Sequence, residues 1–85
     1  MRAVVVVSIR GFANVWKVAE SSDPPAKVQE RTVELEIQGN EAEGYHLIMS
    51  PDGCFTADTW HESVEDAKDT AKEAFGVGLD EWTPT

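Results

Sequence analysis

The side chains in this 85-residue chain that could carry chemistry are His46, Asp58, His61 and Cys54. His46 beside Asp58 would form an oriented imidazole–carboxylate pair, the start of a general base or of a metal site. Glu34 could add an oxygen ligand, with Glu36 on the same strand face, so His46, Asp58 and Glu34 form the metal-binding alternative. No ligand spacing matches a zinc motif, so a cross-strand pair on a wet sheet face, worth about 0.2–1 kcal/mol, is the better account of His46 and Asp58. Cys54 has no sequence-adjacent base, which favours an inert thiol over a nucleophile. A glycine-rich phosphate loop, H-E-x-x-H and G-x-S-x-G are all absent. The expectation is a protein that is not an enzyme and uses no cofactor.

These residues lie in the stretch 44–76, which reads as a tight hairpin running into one amphipathic helix. Residues 45–49 and 54–59 flank Ser50-Pro51-Asp52-Gly53, where Pro second and Gly fourth suit a type I turn with Gly at the left-handed bulge position. A three-residue loop would pair Ser50 with Cys54, Met49 with Phe55, Leu47 with Ala57 and Tyr45 with Thr59. All the apolar residues but Ile48 then share one face, whereas a two-residue loop mixes the faces. The same register sets His46 opposite Asp58 and places Cys54 at the far end of the polar face, away from any dyad with His46.

Ser63 with Asp66 matches a capping box, and Glu62, Glu65 and Asp66 put negative charge at the positive end of a helix dipole. Val64, Ala67, Ala71, Ala74 and Phe75 form its apolar stripe, and Gly76 followed by Val77 suits a left-handed C-terminal cap. Upstream, residues 4–7 are a β-branched run apolar on both faces, expected as an inner strand or one covered by a partner chain. Residues 12–18 alternate as a second strand after an Arg10-Gly11 turn, and residues 20–27, with Pro24-Pro25, read as an exposed loop. Residues 32–37 give the cleanest alternation, with Gly39-Asn40 as the turn that follows. Residues 79–85 form a C-terminal tail in which Leu79 and Trp82 fold back over the core edge.

The expected class is α+β: one small domain over residues 1–85, with a mostly antiparallel sheet of four to five strands and one helix packed on one face. Gly44-Tyr45, Pro51-Asp52, Gly53-Cys54-Phe55-Thr56, Asp58-Thr59, Glu65-Asp66-Ala67, Ala71 and Ala74 together resemble the HicB-like antitoxin domain over the second half of the chain. That resemblance implies a strand–strand–strand–helix core that binds and neutralises a small basic toxin without catalysis of its own. The Asp58-Thr59-Trp60-His61 run before an alanine-striped helix is also similar to small uncharacterised bacterial proteins.

Net charge is −9, with +3 in residues 1–19 and −12 in the remainder. Such a surface repels phosphates, so direct nucleic-acid binding is disfavoured; solubility is the first reading of the acidic charge, and a basic protein partner is the sharper one. Trp60, His61, Glu62, Glu65, Asp69 and Glu73 are the partner-facing candidates, although Trp60 is expected first to close the core beneath the helix and only second to anchor a partner. Pairing of residues 4–7 with a second copy is the homodimer alternative. The interrupted apolar start does not read as a signal peptide, no stretch approaches membrane-spanning length, and lone Cys54 fits a reducing compartment. The expected location is cytoplasmic.

Overall fold

The computed structural model describes residues 1–11, 16–20 and 28–84. Its elements are β1 (Arg2–Arg10), β2 (Lys17–Val18), β3 (Val28–Asn40), β4 (Gly44–Pro51), β5 (Ala57–His61) and α1 (Val64–Phe75). All strand pairs are antiparallel, and they form one curled five-stranded sheet in the order β2-β1-β3-β4-β5. The class is α+β. The long central strand β3 makes this order possible, because it pairs through Val28–Glu36 with β1 and through Val33–Asn40 with β4.

Strand alternation sorts the side chains. Odd-numbered Ala3, Ile9, Val33, Leu35, Ile37, Leu47 and Met49 are buried in one cluster, which also contains Ala67, Ala71 and Phe75 of α1 with Val77 and Trp82 beyond it. Even-numbered residues point the other way. The double-sided run expected as covered therefore splits: Val5 and Val7 pack against the core, while Val4 and Val6 are 56% and 64% exposed. Among the described residues, the β1 edge away from β3 is paired at its two ends, to Thr83 at Arg2 and to residues 17–19 at Ser8 to Arg10.

The helix forms as its caps dictate. Ser63 has extended backbone and its hydroxyl accepts the Asp66 N–H at 3.1 Å, while Gly76, at φ 73°, donates to Lys72 O at 2.9 Å. Ala67, Ala71 and Phe75 are buried, but Ala74, assigned to the same stripe by its spacing, is exposed.

The β4–β5 hairpin departs from the expected register by two residues. Met49 pairs with Ala57, Leu47 with Thr59 and Tyr45 with His61. Pro51 ends β4 as a buried residue and moves from the second to the first position of the turn, where its carbonyl accepts the Cys54 N–H at 3.1 Å. The tight turn thus slides one position, with Gly53 (φ 76°) third in it. Asp52 N–H bonds to Thr32 O at 2.8 Å, and Arg31 Nη1 donates to Asp52 O at 2.8 Å, tying the turn to β3. A shift of two keeps every residue on its face, so the alternation survived while the partners changed. Phe55, expected to pair with Met49, is exposed.

The turn expected at Gly39-Asn40 falls at residues 41–43, where Asn40 Oδ1 accepts the Glu43 N–H. Of the strand expected over residues 12–18, residues 12–15 lie outside the described set and Lys17–Val18 form β2; of the loop 20–27, residues 21–27 also lie outside. In the C-terminal segment Trp82 is buried, Leu79 is exposed, and Thr83 exchanges two backbone hydrogen bonds with Arg2.

Candidate functional site

The candidate residues divide between the strand–helix junction and the even-numbered sheet face. At the junction, His61 closes β5 just before the Ser63 cap. Its Nδ1 lies 2.7 Å from Asp66 Oδ2 and its Nε2 lies 2.6 Å from Thr59 Oγ1. A carboxylate only accepts, so the neutral ring carries its proton on Nδ1 and accepts the Thr59 hydroxyl proton at Nε2. Because Asp66 reaches back to His61, the capping box is made from one side only, by Ser63. His61 was expected on a partner-facing surface. It is instead 6% exposed with both ring nitrogens engaged, and it fastens the first turn of α1 to β5.

Trp60, its neighbour in sequence, takes the opposite role. It is 56% exposed on the even-numbered face, so it does not close the core. Its indole N–H donates to Glu43 O at 3.1 Å. The ring lies across Gly44, where φ is 90° and any Cβ would collide with the indole. What Trp60 presents outward is therefore the apolar part of the ring, held in place at one end.

His46 and Asp58 do meet, with Nδ1 3.1 Å from Oδ2. They meet diagonally: the residue opposite His46 is Trp60, and the residue opposite Asp58 is Ile48. Both are exposed, as for a surface pair. Glu34 is elsewhere. It stands opposite Ser50, four strand positions from the Gln38 that opposes His46, or about 13 Å along the strand. Its carboxylate pairs with Arg2 at 3.0 Å. Among the described residues, no group of three His, Cys, Asp or Glu side chains is placed to hold a metal. Cys54 is a free, half-buried thiol.

Glu62, just before α1, and Glu65, Asp69 and Glu73 on it are all exposed. The pairing brings Val4 and Val6 of β1, Glu34 and Glu36 of β3 and Ile48 of β4 onto the same even-numbered face as Trp60, a grouping that the sequence did not reveal. Two adjoining hollows occur there. One, of 360 Å³, is lined by Arg2, Glu34, Glu36, Ile48 and Ser50 with Leu35. The other, of 530 Å³, shares Glu34 and Ser50 and extends to the Asp52-Gly53 turn. The signal for this face was present in the apolar even positions Val4 and Val6, which a half-buried strand would not need.

No protein family, curated protein or solved structure matches this chain. No described helix is long and apolar enough to cross a membrane.

Proposed function

We propose that this chain is a non-catalytic, acidic protein-binding domain that engages a basic protein partner, in the manner of an antitoxin or immunity protein. The observation that carries this is Trp60. A large aromatic that could have closed the core stands 56% exposed with its polar atom already satisfied, on a surface of net charge −9. Tryptophan is among the residues most enriched at binding hot spots, and a strongly acidic surface speeds encounter with a cationic partner. The similarity of the hairpin and helix sequence to HicB-like antitoxin domains supports the same conclusion.

In this account α1 seats against the odd-numbered face of the sheet through Ala67, Ala71 and Phe75. Its outer acids Glu65, Asp69 and Glu73, with Glu62 just before it, remain free to steer the partner. The free thiol of Cys54 suits work in a reducing cytoplasm. His61 positions the helix and touches no partner. Affinity capture from the native lysate at moderate salt tests the proposal. A basic protein retained in near-equimolar amount and released by raised salt is the expected result; recovery of no basic protein contradicts it.

A further inference from the structure

The exposed apolar residues of the even-numbered face are arranged around its acids. Pairing runs Val4 beside Glu34 and Ser50, and Arg2 beside Glu36, Ile48 and Asp58. Beyond these come Val6 beside Thr32 at one end and Gln38, His46 and Trp60 at the other. Glu34 and Glu36 therefore lie on the middle strand, with Val4 and Val6 to one side and Ile48 and Trp60 to the other. Arg2 reaches Glu34 across the face, which shows that a guanidinium fits this strip, while no described residue pairs with Glu36.

We propose that this face is the docking surface and that its occupant is a cationic amphipathic helix of the basic partner; the inference rests on the binding function proposed above. Charge decides the class of occupant. A second copy would set one Glu34-Glu36 strip against another, and a nucleic acid would bring phosphates to it. Dimensions decide its form. From β1 to β5 the face spans three strand spacings, about 14 Å, which matches a helix about 10–12 Å across, whereas a single extended strand would leave one apolar flank uncovered. Glu34 and Glu36 are about 6.6 Å apart by the ordinary strand rise, and residues i and i+4 of a helix advance about 6 Å. Of two Arg or Lys four residues apart, one thus meets Glu36 and the other shares the Glu34 carboxylate with Arg2, while apolar residues on either side of them reach the valines and Trp60.

The probe is a capped 16-residue helical peptide with Arg at two positions four apart and Leu flanking them on both sides, compared with a scrambled peptide of identical composition. The intact protein is titrated with each while the Val4 and Val6 methyl resonances and the Trp60 indole N–H resonance are followed. The helical peptide is expected to shift all three, to bind at least about tenfold more tightly than the scrambled one, and to weaken about tenfold in the E34Q/E36Q variant. Both substitutions are at sheet surface positions, and an unchanged amide spectrum verifies that the variant is folded. Shifts confined to Glu62, Glu65, Asp69 and Glu73 overturn this docking face and leave the basic-partner function standing. Equal binding of the two peptides overturns the amphipathic helix. No response to the peptide by a protein that retains its own basic partner overturns the inference alone; no response together with no captured partner overturns both.

Discussion

Neighbouring residues Trp60 and His61 do opposite work, and strand alternation is the cause. His61 falls on the odd face and is drawn into the core with its ring nitrogens bound to Thr59 and Asp66. Trp60 falls on the even face and is left outside. His61→Ala removes two hydrogen bonds and leaves a cavity beneath the start of α1. The expected loss is about 2–3 kcal/mol, read as a lower urea midpoint at unchanged slope. An unchanged midpoint would show that the imidazole does not fasten the helix. Ring nitrogen resonances of the neutral histidine should show the proton on Nδ1, because Asp66 can only accept.

At the scale of elements, the helix is the clearest case of local rules agreeing with the fold. Its caps, charges and most of its apolar spacing are satisfied together. Ala74 is the exception, and it yields a contrast. Ala71→Leu inserts a large side chain where Ala71 is fully buried and is expected to cost about 1–3 kcal/mol, whereas Ala74→Leu, on an exposed position, should change stability by no more than about 0.5 kcal/mol. Thermal unfolding of the two variants checks this; equal effects would contradict the helix orientation. The faces of the strands were equally legible, since Leu47, Met49, Val33 and Leu35 are buried as their alternation requires. Register was not. The turn bonds to Thr32 and Arg31, residues about twenty positions away, and those contacts extend β4 through Pro51 and move every β4–β5 partner by two. The His46–Asp58 pair was legible only because diagonal neighbours on a sheet are also within reach. Strand order, with β3 between β1 and β4, depends on long-range pairing that no local pattern encodes.

Over the whole molecule, the balance of burial and exposure points outward from one side. The odd face holds the core cluster, and the even face holds Val4, Val6 and Trp60 around carboxylates on a chain of charge −9. Apolar surface in that arrangement lowers solubility and adds nothing to the core, and its display fits the proposed role of a surface that a partner covers. The proposed binding function therefore depends on Trp60 being displayed and not structural. The most direct measurement is Trp60→Ala read two ways at once, by unfolding midpoint and by retention of the basic partner. The account predicts a stability loss of about 1 kcal/mol or less, from the Glu43 hydrogen bond and the contact with Gly44, together with loss of the captured partner. A loss of about 3 kcal/mol or more with partner retention unchanged would contradict it, and would make Trp60 part of the fold.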